Sequence, residues 1–194
     1  MANRIPLVVL LAGPNGAGKS TSASQLLRGA LTVDEFVNAD TIAQGLSAYR
    51  PEAAAVAAGR VMIERLRLLA RERRDFAFET TLAGLGHARW LHTLRDQGYR
   101  IHLVFLALPS AEIAIARVAD RVRRGGHSVP ESTVRRRFES GLRNLFAEYV
   151  NVVDTWQIYD NSGSVGPRLI ASRAAGEPVI ADRPSWDVLK EQGI

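Results

Sequence analysis

One eight-residue segment limits the folds open to this 194-residue chain more than any other: Gly13-Pro14-Asn15-Gly16-Ala17-Gly18-Lys19-Ser20, the pattern G-x-x-x-x-G-K-[ST]. The apolar run Ile5-Pro6-Leu7-Val8-Val9-Leu10-Leu11 precedes it and reads as a buried strand. Thr21 to Leu27 follows and reads as a helix start. Strand, glycine-rich loop and helix in that order are the setting in which the pattern cradles phosphate. Glycines let successive amides turn inward around anionic oxygens, and the helix N-terminus adds partial positive charge. Lys19 supplies a mobile charge for β- and γ-phosphates, and the Ser20 hydroxyl suits Mg²⁺. Residues Gly13 to Thr21 are therefore the candidate nucleotide-binding set, with Ser20 as the metal ligand.

The remainder alternates strand and helix patterns. Glu35-Phe36-Val37-Asn38, Phe76-Ala77-Phe78-Glu79, Tyr99 to Leu108 and Thr155 to Tyr159 read as strands. Helical patterns run from Pro51 to about Arg74, from His87 to Gln97, from Ser110, and from Pro130-Glu131. Arg168–Ser172 and Pro178–Ala181 could pair as a hairpin, and a tail helix is expected from Trp186. Apolar strands between helices predict a three-layer α/β/α fold around a mainly parallel five-stranded sheet. The length suits one domain over residues 1–194. In such sheets ligands sit at the carboxyl ends of strands.

Two acids stand there. Asp40 follows the second strand, where it could accept a hydroxyl proton in phosphoryl transfer or cap the turn Thr41-Ile42-Ala43. Glu79 ends the third strand, followed by Thr80. There it could hold Mg²⁺ through water, bind an acceptor, or form a structural hydrogen bond. Asp160-Asn161-Ser162 leaves the fifth strand, where Asn161 could touch adenine or ribose or belong to a plain turn.

The net charge is +5 and the sequence pI about 10.2. Only Lys19 and Lys190 are lysines, so the basicity is an arginine bias and argues weakly for nucleic acid. The arrangement of the arginines says more. Arg117, Arg121 and Arg124 recur four and three apart on one helix face, opposite Ala111, Ile115, Val118, Ala119 and Val122. Gly125-Gly126 then breaks the chain before Arg135-Arg136-Arg137, on a helix with its own apolar stripe from Val134 to Tyr149. A solvated arginine face would fit each residue singly. The group, joined by a flexible turn, favours a phosphate lid over about 117–137. The four histidines show no metal-ligand spacing, and the absence of cysteine excludes disulfides and thiolate metal sites. No apolar run is long enough for a membrane span, and a cytoplasmic location is expected.

The ordered set Gly13–Thr21, Asn38-Ala39-Asp40, Phe78-Glu79-Thr80-Thr81-Leu82, Arg117 to Pro130 and Tyr159-Asp160-Asn161-Ser162 resembles the zeta toxin-like P-loop kinases. The resemblance implies a nucleotide-kinase-like fold and ATP–Mg²⁺-dependent phosphoryl transfer. It also implies, as in the toxins, an acceptor hydroxyl on a UDP-activated amino sugar and an antitoxin protein as partner. On that match Asp40 is the catalytic base and Glu79 an acceptor-side acid, and Arg121, Arg124 and Arg136 touch the transferring phosphate. Two other classes compete. An ABC-type ATPase should carry an L-S-G-G-Q-like signature and a strand ending in Asp-Glu; Leu82-Ala83-Gly84-Leu85-Gly86 matches the first poorly, and no apolar strand ends in Asp-Glu. A nucleic-acid-binding switch rests on the pI alone.

Overall fold

The computed structural model describes residues 4–24, 27 and 31–193. A seven-stranded sheet has the order β2-β3-β1-β4-β5-β6-β7. Its parallel part comprises β1 (Leu7–Ala12), β2 (Phe36–Val37), β3 (Phe76–Thr80), β4 (Arg100–Ala107) and β5 (Thr155–Asp160). The antiparallel pair β6 (Arg168–Arg173) and β7 (Val179–Ile180) extends the β5 edge, so the C-terminal hairpin continues the sheet. Successive residues Val8 to Ala12 are fully buried, which requires cover on both faces of the sheet.

The helices supply that cover. They are α1 (Lys19–Ser24), α2 (Ala39–Leu46), α3 (Ala55–Arg71), α4 (Gly86–Asp96), α5 (Ala111–Arg123), α6 (Glu131–Asn144), the short α7 (Val150–Val152) and α8 (Arg183–Gly193). Of the helix start read over Thr21–Leu27, Gln25 and Leu26 lie outside the described residues. Pro51–Ala54 forms a single 3₁₀ turn leading into α3, as suits a proline that cannot donate in the first turn. Ser110 caps α5, its Oγ accepting from the Ile113 amide. The apolar stripe of the next helix is buried as its spacing requires: Val134, Phe138, Leu142, Leu145 and Tyr149 all join the core. The tail helix begins at Arg183, three residues earlier than expected, because Asp182 caps it by accepting from the Ser185 amide.

The stripe on α5 differs from the reading of sequence. Ala111, Ala114 and Val118 are its buried residues, whereas Val122 is 39% exposed. The packing face is thus narrower and rotated toward Arg117 and Arg121, which lie half-buried at its flank. Arg124 is the exposed C-cap, where Gly125 at φ +84° turns the chain away.

Candidate active site

Strand register assembles the site. Leu11 pairs with Glu79, Val37 with Phe78, and Ala107 with Asp160. The glycine loop after β1 therefore lies beside Glu79 on β3, with Asn38 next in line beyond β2. Lys19 Nζ donates to the carbonyls of Gly13 at 2.8 Å and Pro14 at 2.9 Å, and lies 3.5 Å from Glu79 Oε1. Glu79 Oε2 accepts from Ser20 Oγ at 2.7 Å and from Asn38 Nδ2 at 2.8 Å. Burial pushes the Lys19 ammonium below its usual range; the Glu79 and Asp40 carboxylates pull it back up. Lysine, serine and glutamate thus form one hydrogen-bonded group at the mouth of the loop.

Asp40 is not the helix cap. Asn38 is: its Oδ1 accepts from the Asp40 amide at 2.7 Å, and the Thr41–Ala43 turn is the middle of α2, an eight-residue helix. The Asp40 carboxylate is exposed and lines a cavity of about 730 Å³. Asn15, Lys19, Asn38, Glu79 and Thr80 line the same cavity. The Asn15 Oδ1 atom is buried without a hydrogen-bond partner, which suits an atom awaiting a ligand or water donor. Thr80 Oγ1 accepts from the Leu82 amide, so its hydroxyl also shapes the turn in which Leu82 takes φ +57°.

The arginines divide. Arg136 and Arg137 line the cavity, Arg136 exposed and Arg137 half-buried. Burial, then the neighbouring Arg136, lowers the hold of Arg137 on its proton, and Asp40 opposes them. Arg135 points elsewhere, paired with Glu112 at 2.6 Å. Arg121 donates twice to the His127 carbonyl, at 3.1 and 2.8 Å, and its charge bears on Lys19. Arg136 lines the same cavity as Lys19, Arg121 is tied to the His127 carbonyl, and Arg124 lies at the surface. His127 itself lines the cavity, and its Nδ1 lies 4.0 Å from Glu52 Oε2.

Asn161 sits behind the loop, where its Nδ2 donates to the Ala17 carbonyl at 2.7 Å. Sequence reading did not single out Arg137, Arg67, His87 or Trp90 as cavity residues. Arg137 had a signal: it precedes Phe138 and follows Val134 by three, at the edge of the buried stripe. Arg67, His87 and Trp90 had none, because only the β2–β3 crossover and the start of α4 bring them together.

A family model described as an AAA domain matches residues 8–143. The chain belongs to this AAA domain family. The match spans the loop, both strand-end acids and the two arginine-bearing helices. An uncharacterized protein of Haemophilus influenzae is 30% identical over 130 residues, which are 67% of this chain and 91% of that protein. Among solved structures, a chain of the AvrRxo1-ORF1:AvrRxo1-ORF2 complex with sulphate ions superposes with a TM-score of 0.76 at 14% identity. It covers 99% of this chain and 66% of that one. The same complex with ATP gives 0.76 at 15% identity, with 99% of this chain and 65% of that one covered. The AAA domain chain therefore spans slightly less than two thirds of these two neighbours. A chain of the PezAT toxin–antitoxin system of Streptococcus pneumoniae gives 0.66 at 18% identity, covering 99% of this chain and 80% of that one. These likenesses establish a kinase-like P-loop fold, the one the zeta toxin-like resemblance implied.

Proposed function

We propose that this chain is an ATP-dependent kinase that transfers the γ-phosphate to a hydroxyl of a small molecule. The observation that carries the reading is the single cavity of about 730 Å³ onto which Lys19, Asp40 and Arg137 all open. A phosphate clamp, a free carboxylate and cationic groups around one space are the parts that phosphoryl transfer to an alcohol needs.

In this reading the amides of Gly13–Ser20 and the Lys19 ammonium hold the β- and γ-phosphates of ATP. Thr21 completes the loop at the start of α1. Binding replaces the Gly13 and Pro14 carbonyls as partners of Lys19. Asp40 accepts the proton of the acceptor hydroxyl as its oxygen bonds to the γ-phosphorus. The bond from that phosphorus to the β–γ bridging oxygen breaks, and ADP leaves with the electron pair. Arg121, Arg136 and Arg137 neutralise charge on the equatorial oxygens. Arg124, exposed at the C-cap of α5, would join them only on lid movement.

The oxygen donors present fit Mg²⁺. Ser20 Oγ and the Glu79 carboxylate are 2.7 Å apart, hard ligands suited to an ion that keeps waters and binds phosphates. Ser20 would bind it directly and Glu79 through water, and the ion would supply charge neutralisation between the phosphates. The Ser20 and Asn38 bonds favour this metal-side role for Glu79 over a direct contact with the acceptor. Thr80 remains on the acceptor wall.

A UDP-activated amino sugar is the acceptor that the zeta toxin-like resemblance suggests, and an antitoxin protein is the partner it suggests. The test is a mass-spectrometric search for phosphate gain among UDP-sugars and other hydroxylated metabolites incubated with the protein and Mg-ATP. A phosphorylated metabolite supports the kinase reading. Release of inorganic phosphate alone supports a plain ATPase.

A further inference from the structure

The back of the glycine loop is braced by residues that the transfer step does not use. Arg117, at the flank of the buried face of α5, donates to the carbonyl of Asn161 at 2.7 Å and to that of Ser162 at 2.6 Å. Asn161 in turn donates through Nδ2 to the Ala17 carbonyl at 2.7 Å. The contacts are close enough to dictate the residues beside them. A Cβ on Gly16 would lie 2.8 Å from the Ala114 carbonyl oxygen and 3.1 Å from Arg117 Cβ. A Cβ on Gly18, at φ +81°, would lie 2.8 Å from Asn161 Nδ2.

The peptide joining Ala17 to Gly18 is planar and trans, so its carbonyl and its N–H point in opposite directions. Holding the Ala17 carbonyl toward Asn161 therefore turns the Gly18 N–H to the other side. Among the described residues no turn or loop carbonyl accepts from that N–H. A carbonyl facing the phosphates in its place would repel them.

We propose that Arg117 is a positioning residue: by clamping the Asn161–Ser162 turn it lets Asn161 fix the Ala17–Gly18 peptide with its amide toward the bound phosphates. The strut acts on the phosphate end of any triphosphate and is indifferent to the base. It rests on the reading of Gly13–Ser20 as a phosphate loop and not on the identity of the acceptor.

Calorimetric affinities for ATP and for inorganic tripolyphosphate, each with Mg²⁺, test it in the wild-type chain, Asn161→Ala and Arg117→Lys. Arg117→Lys keeps the charge and stem but loses the two-pronged contact. Both variants should weaken both ligands by the same factor, about 10-fold. Weakened ATP with unchanged tripolyphosphate would overturn the proposal, since these residues would then serve the base or ribose. Unchanged affinities with a lowered melting temperature would also overturn it, leaving a role in stability alone. Should Asn161→Ala fail to fold, Arg117→Lys decides the matter by the same comparison. A wild-type chain that binds neither ligand would overturn the phosphate-loop reading itself, an outcome distinct from either of these.

Discussion

Asp40 stands on the first turn of α2 with its amide engaged by Asn38 and its carboxylate open to the cavity. The cap that a sequence reader would give to Asp40 is taken by its neighbour, which leaves the acid free for chemistry. As a general base it is expected to contribute about 10² to 10⁴ in rate, so Asp40→Asn should slow transfer by that order while the Kd for ATP stays within about twofold. Lys19 differs in kind. It is buried, bonded to two carbonyls and next to Glu79. Lys19→Ala should remove nucleotide binding or turnover while circular dichroism shows a folded chain, because the loop is also braced by Asn161. Among the arginines, Arg137→Met is expected to lower kcat about 10²-fold. Arg135→Met, which removes surface pairings with Glu112 and Glu131, should leave kcat near wild type. Equal effects in steady-state assays would contradict the division of the arginines drawn here.

At the scale of elements, the site depends on how closely helices approach the strand-end loops. Gly141 on α6 is the tightest case: a Cβ there would lie 2.3 Å from the Thr81 carbonyl oxygen. Gly141→Ala must move α6 or the 81–83 loop, at a cost of about 1–3 kcal/mol. Thermal melting should show that loss, and a variant as stable as wild type would mean that the helix has slack. Elements of this kind were legible in sequence where period and punctuation agreed. The loop, the strand before it and the Val134–Tyr149 stripe fall where their spacing put them. Legibility failed where a side chain's direction is decided by a neighbour far along the chain. The α5 stripe rotated because Arg117 reaches the Asn161–Ser162 turn, 44 residues away. Glu79 faced Ser20 because parallel register, not local pattern, sets β3 beside β1. The cavity wall of His87, Trp90 and Arg67 had no local signature at all.

For the molecule as a whole, no helix among the described residues is long and apolar enough to cross a membrane, and the core is a sheet buried on both faces. One buried group gives that core a measurable pH signature. Tyr149 donates to the Gly84 carbonyl at 2.7 Å, and burial raises its pKa to about 12. An unfolded tyrosine ionises near pH 10. Between pH 10 and 12 the unfolded chain therefore binds fewer protons at this site than the folded one, and stability falls as pH rises, by about 2 kcal/mol. Tyr99 and Tyr159, also raised by burial, act in the same direction. Lys19, lowered by burial, acts in the opposite one. Denaturant melts from pH 9 to 12 should fall more steeply for wild type than for Tyr149→Phe, and parallel curves would show that the phenol is not held neutral. The same fold sets one cavity against the glycine loop, and so the kinase reading comes down to the fate of one phosphate. The most direct test follows the label from γ-labelled ATP in single turnovers with a pool of hydroxylated metabolites, comparing wild type with Asp40→Asn. The account predicts label on an organic acceptor with wild type and about 10² to 10⁴ slower labelling with Asp40→Asn at matched ATP occupancy. Label found only in inorganic phosphate, or transfer that Asp40→Asn leaves unchanged, would contradict it.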